Sequence, residues 1–193
     1  MTVLRFAGAD FAPLGGMDLT LEAGERLWVQ GASGSGKTLL LYLAAGLLYP
    51  RSGSVTLCGE PPRPDKVAML FQNPDYQIIA PTVTADVRLN AASEEAAETA
   101  LATTDCKHLA DATIAGLSPG QRRRVALAGV LAAAPPLVLL DTPFAGMDRR
   151  EADGLWAGVR AFAEGRTMTI LATGPTPDSE PAETTVEVAQ WHS

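Results

Sequence analysis

The chain has 193 residues, 47% of them hydrophobic, enough for one substantial core with a small satellite unit. Its formal charge of −7 argues against a nucleic-acid partner, because binding a phosphate backbone requires clustered Lys and Arg. Two cysteines, Cys58 and Cys106, stand far apart with no C-x-x-C spacing, so neither a disulfide framework nor a zinc site is indicated and both read as packing residues.

The first thirty residues alternate in short runs, Val3 to Phe6, Met17 to Glu22 and Arg26 to Val29, which read as strands separated by turns at Gly15-Gly16 and Ala23-Gly24. No apolar stretch of signal-peptide length lies in Met1 to Phe11, so the expected location is the cytoplasm. Residues 31 to 38 then read Gly-Ala-Ser-Gly-Ser-Gly-Lys-Thr, a complete G-x-x-x-x-G-K-[ST] loop between the apolar Leu27-Trp28-Val29 and a helix expected from Lys37 to about Leu48. Gly31, Gly34 and Gly36 let such a loop curl until successive backbone N–H groups, including those of Ser33 and Ser35, converge on phosphates at the positive end of the helix. Lys37 is placed to reach the β- and γ-phosphates and the Thr38 hydroxyl to ligate Mg²⁺.

A turn at Pro50 to Gly53 leads into a strand at Ser54 to Leu57, and the rigid Pro61-Pro62-Arg63-Pro64 leads into a buried strand, Val67 to Phe71, ending at Gln72. From Val83 to Leu109 the sequence is polar and Ala-rich, with a helix start at Ser93-Glu94-Glu95, and reads as a small helical subdomain. Ser118 as N-cap and Pro119 at the first helical position specify the next helix, expected to run to Ala134. Within it, Arg122-Arg123-Arg124 reads as a solvated face or a local anion contact. Leu137 to Leu140 is a continuous apolar run ending in Asp141, as in a central parallel strand whose C-terminal end faces a nucleotide. A helix from Arg149 to Glu164, a strand from Thr167 to Thr173, a Pro-rich loop from Gly174 to Pro181 and a weak strand from Thr184 to Ala189 complete the reading. The apolar runs Leu39 to Tyr49 and Val125 to Leu140 do not span a bilayer, since one is too short and Pro135-Pro136 breaks the other.

These motifs lie in the order of an ATP-binding-cassette ATPase, which the chain resembles over nearly its whole length. Gln72 is similar to the family's Q-loop glutamine, Leu117-Ser118-Pro119-Gly120-Gln121 to its signature, Leu137 to Asp141 to its Walker B strand, and Gly146-Met147-Asp148 to its D-loop. Phe71 to Gln77 with Ala80 to Val83, and Arg124 to Ala132, resemble the energy-coupling factor subclass that powers vitamin and cobalt or nickel uptake. The resemblance implies a single α/β domain over 1–193: a P-loop NTPase (RecA-like) parallel sheet core, an N-terminal antiparallel β subdomain, and a helical subdomain at about 74–118. It also implies ATP and Mg²⁺ as cofactors, with no Asn-Lys-x-Asp guanine reader in the sequence, and a second ABC ATPase subunit as partner. Two such domains close head to tail, so Ser118 and Gly120 would serve the partner's ATP while Lys37, Thr38, Gln72 and Asp141 serve the chain's own. Transmembrane coupling and substrate-binding subunits would hold the pair peripherally at the inner face of the cell membrane.

Three positions depart from the family pattern. Thr142 stands where active members carry the glutamate that polarises the attacking water, and loss of a positioned base costs about 10²–10⁴ in rate. Gly174 takes the place of the switch histidine, and Gly8 that of the adenine-stacking aromatic, for which Phe11 is the candidate substitute. Pro119 also removes one N–H from the signature. The expected function is therefore the ATP-binding subunit of an energy-coupling factor-like importer whose own hydrolytic site is degenerate. The alternative is a non-hydrolysing nucleotide-binding regulatory subunit. A cassette protein for DNA or ribosome work fits less well, given the acidic charge and the lack of a coiled coil.

Overall fold

The computed structural model describes residues 1–178 and 185–191. Period-two alternation organises its N-terminal part: in β1 (Thr2–Phe11) Leu4 and Phe6 are buried while Arg5 faces out, the pattern of a sheet covered on one side. β1 pairs antiparallel with β2 (Leu14–Glu22) and with β4 (Ser52–Leu57), giving the order β2-β1-β4. A second sheet has the order β5-β6-β7-β3-β8, with β3 spanning Arg26–Gln30, β5 Val67–Leu70, β6 Leu137–Asp141, β7 Thr169–Thr173 and β8 Thr185–Glu187. Its pairings are parallel.

Continuous apolar strands need both faces covered, and every residue of β6 and β7 is buried. Val138 and Leu140 face a cluster with α4 (Pro119–Ala132) and α5 (Arg149–Glu164), while Leu137 and Leu139 face α1 (Lys37–Ala44) and the antiparallel sheet. The helices α2 (Val83–Arg88) and α3 (Glu94–Thr103) pack on α4. Ser93 caps α3, its hydroxyl accepting from the Ala96 N–H at 3.1 Å.

Several boundaries differ from the sequence reading. Gly15 and Gly16 lie inside β2, with Gly16 at φ +59° beside register shifts in the β1–β2 ladder, and the chain reverses at Ala12-Pro13 instead. The first helix ends at Ala44, short of Leu48, because Gly46 adopts φ +71° with its Cβ position 2.3 Å from the Pro62 carbonyl oxygen, a left-handed close approach open only to glycine. β7 begins at Thr169 and α4 ends at Ala132, two residues inside the expected bounds. Cys106 is buried as expected, but Cys58 is exposed in the turn after β4 and packs against no core. Thr184 and Ser179 to Pro181, where parts of a strand and a loop were expected, lie outside the described residues.

Candidate functional site

β3 delivers the chain at Gln30 into the 31–36 loop, which turns directly into α1. A side chain at Gly31, φ +148°, would place its Cβ 2.5 Å from Val188 Cγ1. Gly36, φ +98°, caps α1 without a side-chain hydrogen bond, so the first N–H groups of the helix stay directed at the loop. Lys37 Nζ rests on the loop, donating to the carbonyls of Gly31 (2.8 Å) and Ala32 (2.7 Å), with Ser35 Oγ at 3.5 Å.

β6 brings Asp141 beneath this loop, 2% exposed. Thr38 Oγ1 donates to its Oδ2 at 2.8 Å and Thr173 Oγ1 to its Oδ1 at 2.7 Å, so both carboxylate oxygens are held. Gly31, Ser33, Gly34, Gly36, Lys37, Thr38, Gln72 and Asp141 all line one open cleft of about 930 Å³, and Ser35 lies buried under it. Ser118 and Gly120 are elsewhere. Gly120 borders a separate cavity of about 460 Å³ that it shares with Gln72, Asn73 and Gly146. Ser118 closes a capping box: its Oγ accepts from the Gln121 N–H (3.2 Å) and its own N–H donates to Gln121 Oε1 (2.9 Å).

The departures from the family pattern meet in the same cleft. Thr142 and Gly174 both line it, and a Cβ on Gly174 would come within 3.2 Å of Thr142 Cγ2. Thr142 is a β-branched residue at φ +48°, a backbone outlier, and its buried hydroxyl has no partner among the described residues. Gly8, whose Cβ position opens onto free space, donates its N–H to Asp18 Oδ1 at 2.9 Å. Phe11, the candidate adenine platform, packs instead against the core of the antiparallel sheet and is not on the cleft wall.

Of the two readings of the arginine run, a solvated face or a local anion contact, Arg122 and Arg124 follow the second. Arg122 pairs with Asp75 at 3.1 Å, and Arg124 pairs with Glu151. Arg123 donates to the Gln72 carbonyl at 2.8 Å and to the Thr142 carbonyl at 3.1 Å. Burial pulls the Arg123 pKa below its ordinary value while the Asp141 carboxylate pushes it up. Trp28, Phe144 and Trp156 stack below the 143–147 loop, with ring centroids 5.2 to 6.1 Å apart. Their spacing in sequence gave no signal of that cluster.

The donor set suits magnesium and a polyphosphate. Thr38, Asp141 and Gln72 offer only hard oxygen ligands, and a single carboxylate is what a cation shared with phosphates needs. Among the described residues no group of three or more His, Cys, Asp or Glu gathers to hold a metal on its own. Lys37 and the free N–H groups of α1 supply positive charge opposite.

A parallel sheet whose interior strand β6 ends in the buried Asp141, facing a glycine-rich loop and a helix start, defines a P-loop nucleotide-binding domain. The chain belongs to the ABC transporter family, which it matches over residues 14–145. The energy-coupling factor transporter ATP-binding protein EcfA of Methanoculleus marisnigri is 36% identical over 177 residues, covering 84% of this chain and 64% of its own length. The cytochrome c biogenesis ATP-binding export protein CcmA of Pseudomonas putida is 34% identical over 186 residues, covering 91% of this chain and 89% of that relative. Among solved structures, CbiO1 of Clostridium perfringens, part of the ABC transporter complex CbiONQ, superposes with a TM-score of 0.79 at 26% identity over 91% of this chain and 79% of that one. The chain spans less than two thirds of several relatives, 64% of this EcfA and 62% of a putative ABC transporter ATP-binding protein of Streptomyces coelicolor. No helix among the described residues is long and apolar enough to cross a membrane.

Proposed function

We propose that this chain is a single ABC nucleotide-binding domain, the ATP-binding subunit of an energy-coupling factor-like importer. It binds Mg-ATP in the cleft under the 31–38 loop, closes on a second ABC ATPase subunit, and is held at the inner face of the membrane by transmembrane coupling and substrate-binding subunits. The observation that carries the reading is the buried Asp141 carboxylate receiving the Thr38 hydroxyl at 2.8 Å directly behind Lys37. Lys37 and the loop N–H groups take the β- and γ-phosphates, while Thr38, Asp141 and Gln72 hold the metal and its waters. Magnesium held there by Thr38, Asp141 and Gln72 would supply neutralisation of the phosphate charge.

The chain's own pocket holds ATP with little or no hydrolysis. A neutral hydroxyl at Thr142 cannot accept a proton as a carboxylate does, and Gly174 has no side chain to offer a γ-phosphate. A side chain at position 174 would crowd Thr142, its Cβ falling 3.2 Å from Cγ2, and this supports a settled alternative packing rather than two independent losses. Ser118 and Gly120, away from the cleft, are left to complete the site of the partner ATPase. The same fit of Thr142 to a glycine at 174 also favours the second reading, a regulatory subunit that clamps on ATP without driving turnover. Calorimetric titration of Mg-ATP into the chain tests the binding site: the native chain binds and Lys37→Ala does not. Equal affinity in both overturns the assignment of the loop.

A further inference from the structure

The middle residue of the basic run, Arg123 on α4, sends its side chain between the segment that carries Gln72 and the end of β6. Its Nη2 donates to the Gln72 carbonyl at 2.8 Å and its Nη1 to the Thr142 carbonyl at 3.1 Å. A guanidinium is planar, and its N–H groups form a rigid fork, so one side chain fixes the separation of two backbone segments far apart in sequence. One carbonyl belongs to Gln72 itself, the other to the residue that follows Asp141.

Other contacts already hold the two segments individually. Gln77 accepts from the Phe71 N–H at 2.9 Å and donates to the Ala126 carbonyl at 3.4 Å, and Arg122 pairs with Asp75, so this loop stays anchored to α4 without Arg123. The Asp141 carboxylate is fixed from its other side by Thr38 and Thr173. Beyond the last β5–β6 pair, Leu70 with Leu140, the Arg123 side chain is what ties the Gln72 carbonyl to the Thr142 carbonyl among the described residues.

We propose that Arg123 is a positioning residue that sets the distance between Gln72 and Asp141 and thereby tunes the site for magnesium. The inference rests on the proposed use of those two residues as the metal side of the nucleotide site. It predicts a split: the gain in ATP affinity on adding Mg²⁺ depends on Arg123, whereas metal-free ATP affinity, set by Lys37 and the loop, does not.

ATP binding to the full chain is measured by titration in excess Mg²⁺ and in EDTA. In Arg123→Leu the Mg²⁺-dependent gain falls about 10-fold or more, as when a residue that orients a metal ligand is lost, and the affinity in EDTA stays within about 2-fold of native. Arg123→Lys, which keeps the charge but not the fork, falls between the two and serves by itself if Arg123→Leu does not fold. An unchanged gain in either variant overturns the inference, and so does an equal loss with and without metal, which marks a merely structural role. A native chain that binds ATP with no gain from Mg²⁺ overturns the magnesium assignment of Gln72 and Asp141, a result distinct from any variant effect.

Discussion

Gly174→Ala probes how positions 142 and 174 fit together. Gly174 sits at φ +104°, where any residue with a Cβ is strained, so Gly174→Ala costs about 1–3 kcal/mol from the backbone alone. The new methyl also presses to 3.2 Å of Thr142 Cγ2, a contact whose relief depends on Thr142. Thr142→Gly removes that Cγ2 and releases a β-branched residue from φ +48°, a gain that the roughly 0.5–1 kcal/mol entropic cost of glycine largely offsets. The single Thr142→Gly change is therefore nearly neutral, and Gly174→Ala costs at least about 0.5 kcal/mol less in its presence, a coupling of the size that touching residues show. Urea unfolding followed by the fluorescence of buried Trp28 and Trp156 measures the cycle. For a chain of this size each kcal/mol shifts the melting temperature by about 2–4 °C, so the cost of Gly174→Ala is also resolvable by melting in each background. Equal costs of Gly174→Ala in the two backgrounds, or a stabilising effect in either, refute the claim that the positions are mutually fitted.

In an assembled complex with its partner ATPase, Ser118→Arg abolishes ATPase activity while Thr142→Ala changes it little; the reverse ranking shows that this chain's own pocket hydrolyses ATP. Because the Ser118 hydroxyl caps α4, Ser118→Ala lowers thermal stability by about 1 kcal/mol, readable as a melting shift, and an unchanged melting temperature argues against the capping box. Thr142→Glu combined with Gly174→His raises turnover above the native chain, whereas Gly174→His alone only destabilises, as steady-state phosphate release and melting curves would register. Burial pushes the Cys106 thiol pKa up, so near neutral pH an aromatic disulfide reagent labels Cys58 in the native chain and Cys106 only after unfolding; two rapidly labelled thiols contradict the burial.

Much of the site was legible because its chemistry is local. The 31–38 loop carries its glycines, lysine and threonine within eight residues, and the apolar Leu137 to Leu140 run reads as a strand covered on both faces, which places Asp141 at its C-terminal end. Pairing Thr38 with Asp141 follows once β3 and β6 both run parallel beside β7, so that their C-terminal ends lie on the same edge of the sheet. What the sequence withheld depends on contacts between distant segments. Nothing local shows that Gly46 must pass under the Pro62 carbonyl and end α1 early, or that Gly15-Gly16 continues a strand whose turn is two residues upstream. The arginine run was legible only in part: a local anion contact fits Arg122 on Asp75 and Arg124 on Glu151, while the reach of Arg123 to the Gln72 and Thr142 carbonyls is something helical periodicity does not encode. Phe11, the candidate substitute for the aromatic missing at Gly8, ends β1 half-buried against the antiparallel sheet, a placement that needs the strand pairing to be known.

The central claim, that this pocket retains ATP without turning it over, is tested most directly by a single-turnover experiment. The purified chain in excess over γ-labelled ATP with Mg²⁺ is sampled over time, and the bound nucleotide is identified. The account predicts that intact ATP is recovered from the native chain over many minutes and that no nucleotide is retained by Lys37→Ala. Labelled phosphate released by the native chain and absent with Lys37→Ala would contradict it, and would return the pocket to the class of hydrolytic sites despite Thr142 and Gly174.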